Sequence, residues 1–388
     1  MSESHKIPQL DTTEKHRRFT LLKQKLKDAG LSALLVYGGT QLGVPVHYLT
    51  QAWGSKMNAV IFPVEGDPIL LIPSNMALNG PLLMKQGCWL PVENIRKVPN
   101  LAVGMAEYIH KMKIQDTRIG LDSFRFWPVF DCDIFKELCP KAELVEAHRL
   151  FGEVRGPKSD AELDVMEKAI RISDIAHYTF LANLKPGITE IEASAEANAI
   201  LEQNGVGDRI ILIHSRPEMA YPSAPGPSII RKPNPVTFSP EFTRQAGYGA
   251  QMIRAYAWEK PEGEYKRMLE VCGEIRQLVA EEFRPGVEIA AAAQKIEKLV
   301  DDRGFECDKL GHGIGVAYGD VPYIAAGPHQ RDFIDWTILE NEVYAVHPMI
   351  RNKGGKPPLV MTGDMFHIGR NETRRMTRTL SELPVMIP

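Results

Sequence analysis

His312 lies in the run KLGHGIGVAYGDVPY (309–323), between Gly311 and Gly313, in a segment with almost no charge. Glycines on both sides strip bulk from around the imidazole and let the backbone come close to something. That something is a metal, a substrate, or a carbonyl that merely packs the ring. Asp320 and Tyr323 follow in the same run and are placed to line the mouth of a site built there. Upstream, RIILIHSRPEM (209–219) carries His214 and Glu218, and Glu241 is a carboxylate that either stays on the surface or reaches the site as a charge. Near the start, GGTQLGVPVHYLTQAWGSK (38–56) concentrates His47, Tyr48, Trp53 and Lys56, side chains well equipped to contact a ligand.

The bulk composition narrows the class. The chain has 388 residues, 44% hydrophobic and 24% charged, with a formal net charge of −3. Those are the values of an ordinary globular protein of two or three domains. No Lys/Arg stripe marks a nucleic-acid partner. No run of about 18 apolar residues marks a membrane span. The polar start MSESHKIPQLDTTEKHRRF lacks the apolar core of a secretory signal. The five cysteines are scattered, with no CxxC pair, which points to free thiols in a reducing cytoplasm.

The elements that must position these residues fall in two halves. In residues 1–155, strand-like runs at 31–38, 58–64, 68–72 and 118–122 alternate with helical patterns at 14–30 and 105–113. That alternation predicts an α/β layer domain. Gly156 and Pro157 then break the chain, and Ser159 with Glu162 forms the capping box of a new helix. A second domain, 156–388, begins there. It contains an internal echo: KPGITEIEASAEANAILEQNG (185–205) parallels RPGVEIAAAAQKIEKLVDDRG (284–304). Each is a basic-Pro-Gly turn, an amphipathic helix and a polar-Gly stop, which predicts a duplicated α-α-β-β unit around a central cleft.

GHGIG followed by D-x-P, the KPGITE helix entry and LENEVYAVHPMI (339–350) together resemble the creatinase/aminopeptidase P/prolidase superfamily. The resemblance implies an α/β N-terminal domain before a pita-bread domain, a duplicated α-α-β-β unit with a curved antiparallel sheet. It also implies a homodimer, in which the 38–56 segment closes the partner's cleft. The metallopeptidases of that family carry Asp, Asp, His, Glu and Glu as metal ligands. On the matching motifs the first Asp falls on Ser239 or Pro240, and the second falls on Gln251 of GYGAQMIR (247–254). The His falls on His312. The first Glu falls on His347 and the last on Gly363. A catalytic His of the family falls near Tyr221, and another on Gly319.

On the family fold, His312 and His347 face one cleft from neighbouring strands. Two adjacent imidazoles do not both protonate easily, so their pKa values are expected to split into an acid and a base. Two metal ions a few ångströms apart need several carboxylates to bridge them, and this set lacks them. The expectation is therefore a metal-independent, creatinase-like hydrolase or lyase. It would act on a C–N or similar bond of a small polar or aromatic compound, with no cofactor. His312, His347, Tyr221 and Glu241 are its catalytic candidates. Gln251, Arg254, Asp320, Tyr323, Trp53 and His47 are the substrate-binding candidates, Arg254 being equally suited to a structural ion pair. Two alternatives stand beside this reading. One is a mononuclear metal enzyme with His312 and His347 as ligands. The other is an inactive pita-bread binding protein.

Overall fold

The computed structural model describes residues 10–38, 44–52, 57–122, 127–244, 247–316, 320–324 and 335–387. Trp53, Lys56 and Gly319 lie outside the described residues. The chain forms two compact units, which divide between Arg155 and Gly156. Among the described residues, no helix is long and apolar enough to cross a membrane.

The N-terminal unit is an α/β domain around a mixed six-stranded sheet. Its order is Ile95–Lys97, Ile69–Ile72, Asn58–Pro63, Ala33–Gly38, Arg118–Leu121, Glu143–Glu146. Ala33–Gly38 is central, antiparallel to Asn58–Pro63 and parallel to Arg118–Leu121. Both central strands are buried along their whole length, hence the continuous apolar runs. The opening helix, Thr12–Asp28, starts where the Asp11 side chain accepts from the Thr13 and Glu14 amides. A later helix begins at Leu101, four residues before the pattern predicts, because Asn100 caps it by accepting from Val103.

The C-terminal unit is the pita-bread domain. Ser159 and Glu162 make the reciprocal capping box at the start of Asp160–Asn183. Thr189 and Glu192 repeat it at Glu190–Gln203. The second copy supplies Gly263–Glu282 and Ile289–Asp302. The two Pro-Gly turns are the same device used twice. Gly187 and Gly286 have φ of 92° and 89°, values that favour glycine. The Gly187 amide donates to the Ile230 carbonyl and the Gly286 amide to the Ile338 carbonyl, both at 2.9 Å.

Two five-stranded sheets follow from the two copies. One runs Val385–Met386, Arg254–Ala257, Val236–Arg244, Val206–His214, with Gly249–Gln251 also paired to Val236–Arg244. The other runs Asp320–Ile324, Gly311–Gly313, Val343–Val346, Asp364–Ile368, Thr373–Arg375. A bridge between Ile253 and Gly363 joins them, with mutual amide–carbonyl bonds of 3.1 and 3.0 Å. This join brings the chemistry-bearing strands of both copies to one place.

Candidate active site

Ser239 and Glu241 stand two residues apart on Val236–Arg244, so both point to one face. Gln251 is directly opposite Glu241 in the antiparallel register. The Ser239 hydroxyl donates to Glu241 Oε1 at 3.1 Å. Burial pushes the Glu241 carboxyl up to about 7, against the pull of Ser239, Lys309 and Gln251. Gln251 is buried, and its Oε1 has no hydrogen-bond partner.

Across the join, the His312 and His347 rings lie 5.0 Å apart at 64°. His312 Nδ1 donates to the Gly313 carbonyl at 2.8 Å, which leaves Nε2 as the accepting nitrogen. His347 is buried, and neither of its ring nitrogens has a partner. Burial pushes His347 down to about 3, with the neighbouring His312 and Lys309 adding to it. Burial also lowers His312, opposed by the Gly313 carbonyl and Asp320. Both imidazoles are therefore neutral near pH 7. The expected split between them gives way to a different division, in which the group that titrates near neutrality is the Glu241 carboxyl.

The glycines around His312 also prove to have a second cause. A Cβ on Gly311 would sit 2.1 Å from the Ala345 carbonyl oxygen, and one on Gly313 2.3 Å from that of Val321. They let neighbouring strands close on the histidine, and ligand access is not what requires them.

Of the other expected residues, Asp320 is buried and accepts from the Val321 amide at 2.8 Å. Its charge acts on His312. Tyr323 is half-buried, its ring 6.1 Å from that of His312. Tyr221 lies on the 215–235 connection and is 39% exposed. Lys309 donates to its hydroxyl at 3.2 Å and sits 5.0 Å from its ring centre. Sequence reasoning missed Lys309. It is the cation whose field reaches Glu241, His312 and His347 together. Its place three residues before His312 was the available signal.

Arg254 is corrected from substrate contact to structural support. It is fully buried, and donates to the Gly363 carbonyl at 2.8 Å and to Asp364 Oδ1 at 2.9 Å. His214 is buried and bonded to the Met219 carbonyl. His47 belongs to the N-terminal unit, buried in the helix Val44–Thr50 with Nδ1 3.1 Å from the Ala52 carbonyl.

The positions matched to metal ligands do not fit a two-metal centre. Ser239 or Pro240, Gln251, His312, His347 and Gly363 bring no carboxylate; of the acids near them, Glu241 stands opposite Gln251, Asp320 acts on His312, and Asp364 is paired with Arg254 and Arg276. Among the described residues, no three or more His, Cys, Asp or Glu side chains are grouped to hold a metal ion. Position 363 has no room for a side chain. A Cβ there would meet His347 Cβ at 2.9 Å and Ile253 Cγ1 at 3.0 Å. The glycine at 363 thus leaves room for the His347 Cβ and the Ile253 side chain. Gly363→Ala is expected to lower stability by about 1–3 kcal/mol through overpacking. Only removal of the 347 Cβ itself, by His347→Gly, should relieve part of that loss, the part not set by Ile253. A double-mutant cycle by urea unfolding checks the coupling, and additive losses would show that the two positions are independent.

Comparison with known proteins completes the site. The model of metallopeptidase family M24 matches residues 164–370, and that of the creatinase/prolidase N-terminal domain matches 18–156. The chain is 22% identical over 351 residues to a probable dipeptidase PepE of Mycobacterium tuberculosis, covering 86% of this chain and 87% of that one. It is 23% identical over 338 residues to an Xaa-Pro dipeptidase of Pyrococcus horikoshii, covering 83% and 89%. In structure it resembles the Mycobacterium ulcerans dipeptidase PepE with a TM-score of 0.79 at 19% identity, over 98% and 100% of the two chains. It resembles the Pyrococcus horikoshii prolidase with a TM-score of 0.76 at 20% identity, over 95% and 99%.

These findings overturn the expectation of a metal-independent, cofactor-free enzyme and of a lyase, and they keep that of a hydrolase. The relatives are named as dipeptidases, and the matching family is one of metallopeptidases. Neither alternative, the mononuclear enzyme or the inactive binding protein, gains support from them.

Proposed function

Since the chain belongs to metallopeptidase family M24, with residues 164–370 matching the family, we propose that it hydrolyses the peptide bond of a dipeptide-sized substrate. The coarser statement, a hydrolase acting on a small molecule, rests on the relatives. The observation that carries the finer one is a set of buried polar atoms without partners beside a carboxyl that titrates near 7. They are Gln251 Oε1, opposite the raised Glu241 carboxyl in the sheet, and both ring nitrogens of His347. Leaving buried polar groups unsatisfied costs about 1–3 kcal/mol each, and a bound ligand removes that cost. A peptide unit offers a donor and an acceptor in fixed geometry, which suits neutral imidazoles and an amide.

Glu241 takes up and returns the proton in this reading. Its pKa near the working pH is the property a proton-transfer group needs. His347 stays neutral, donating from one nitrogen and accepting at the other. His312 Nε2 accepts beside it. Lys309, exposed at Tyr221, draws the anionic end of the substrate toward the cleft. A homodimer belongs to the same proposal. So does a reducing compartment, which five free cysteines suit.

The test is a panel of dipeptides, Xaa-Pro included, given to the full-length chain with each of several divalent cations supplied. Release of free amino acids from dipeptides, and not from longer peptides, is expected. Failure to cleave any dipeptide under any of these conditions would overturn the reading.

A further inference from the structure

Glu190 carries a carboxyl group where its counterpart in the second copy carries a hydrocarbon. Each stands three residues past the glycine of its Pro-Gly turn, Glu190 after Gly187 and Ile289 after Gly286. The backbones match. The Glu190 amide donates to the Ser228 carbonyl at 3.0 Å, and the Ile289 amide to that of Trp336 at 2.8 Å. One residue earlier, Thr189 bridges to Ile229 and Glu288 to Thr337. Both side chains are fully buried. Ile289 packs in the apolar core, the ordinary use of such a position.

The helix does not demand an acid there. Burying a carboxyl group costs more than burying an isoleucine. Glu192, exposed in the same first turn, already serves the positive end of the helix. The partners of Glu190 supply the reason. Its Oε1 accepts from the Ser215 hydroxyl at 2.5 Å, and its Oε2 from the Gly226 amide at 3.0 Å. Ser215 and Gly226 are the two ends of one loop, and Arg216 Nε lies 3.8 Å from the same Oε1. Ile213 and Ser223 exchange amide–carbonyl bonds of 2.8 and 3.0 Å across its base, and the His214 ring is bonded to the Met219 carbonyl. The tip carries Tyr221, whose hydroxyl accepts from Lys309. Lys309 is the cation that acts on Glu241, His312 and His347.

We propose that Glu190 is a positioning residue, which clasps both ends of the 215–226 loop and so holds Tyr221 at Lys309 beside the cleft. Its part in substrate recognition rests on the dipeptide reading above, whereas the clasp itself does not. Glu190 touches no substrate. It orders the loop before binding, so that this ordering does not oppose binding. Its loss should therefore fall on KM.

Glu190→Ile installs the side chain that the second copy already uses. Glu190→Gln keeps an acceptor for the Gly226 amide and a polar group for Ser215. Amide hydrogen exchange on the full-length chain is the first measurement. Glu190→Ile should speed exchange at 215–226 by about tenfold and leave the helices Asp160–Asn183 and Gly263–Glu282 unchanged, and Glu190→Gln should match wild type. The second measurement is turnover of a dipeptide that wild type cleaves. Glu190→Ile should raise KM about tenfold with kcat within about twofold, and Glu190→Gln should restore KM. Unchanged exchange in the isoleucine variant overturns the proposal. So does faster exchange spread evenly over the C-terminal unit, or a loss confined to kcat. Ser215→Ala removes one arm of the clasp and serves if the isoleucine variant does not fold; a loop no looser in that variant overturns the proposal as well. If wild type cleaves no dipeptide while Glu190→Ile loosens 215–226 alone, the reading of the reaction falls and the clasp stands.

Discussion

Glu241→Gln is expected to lower kcat/KM on a cleaved dipeptide by about 10²–10⁴-fold, the usual cost of removing a positioned proton-transfer group. The substitution keeps the volume and the contact with Ser239, so the loss should fall on kcat rather than on folding. The wild-type profile should have an acid limb near pH 7. The carboxyl, raised to about 7, must be ionised to accept a proton, so activity falls as pH drops through that value. The glutamine variant should lack that limb. A second readout follows from linkage. The folded carboxyl titrates above its ordinary value, so the unfolded chain binds fewer protons between about pH 4.5 and pH 7. Stability therefore declines as pH rises through that window. Glutamine carries no such penalty, and the variant should resist urea better than wild type above pH 7. A variant with wild-type turnover would move the proton-transfer role elsewhere.

The parts of the fold that rest on local chemistry were legible. Ser159 with Glu162 and the two Pro-Gly turns are short-range devices, and each builds the element its spacing predicts. His312 stood out as a candidate for a similar reason, its place in a short glycine-flanked run. The division of charge in the cleft was not, because it depends on burial. Glu241 is raised and His347 is lowered by burial, which the strands create only once they pair. The packing of Gly363 against the His347 Cβ was hidden too, since it depends on the register of the hairpin between them. The error about the reaction had another source. Missing carboxylates describe which groups are present, whereas the reaction class was read from the relatives.

Asp364→Ala is expected to destabilise the C-terminal unit by about 3–5 kcal/mol, the usual cost of removing one partner from a buried ion pair. Asp364 stands between two guanidiniums. Its Oδ1 accepts from Arg254 Nη2 at 2.9 Å and from Thr377 Oγ1 at 2.8 Å, and its Oδ2 is 2.6 Å from Arg276 Nε. Arg254 is fully buried, and the Arg276 side chain is 13% exposed. Removing the carboxylate leaves these two cations facing each other with little water to screen them. Burial already lowers Arg276 below its ordinary value, and the Asp364 charge is what opposes that. Urea unfolding of wild type, Asp364→Ala and Asp364→Ala/Arg254→Met separates charge from packing. If the uncompensated cation is the cause, the double variant recovers part of the loss, because an apolar side chain needs no partner. A single variant with the wild-type midpoint would mean that solvent reaches the guanidiniums after all. The consequence extends to the cleft, because Arg254 also holds the Gly363 carbonyl at 2.8 Å. Gly363 packs against His347. The charge at 364 therefore fixes the strand whose bare glycine leaves room for the His347 Cβ.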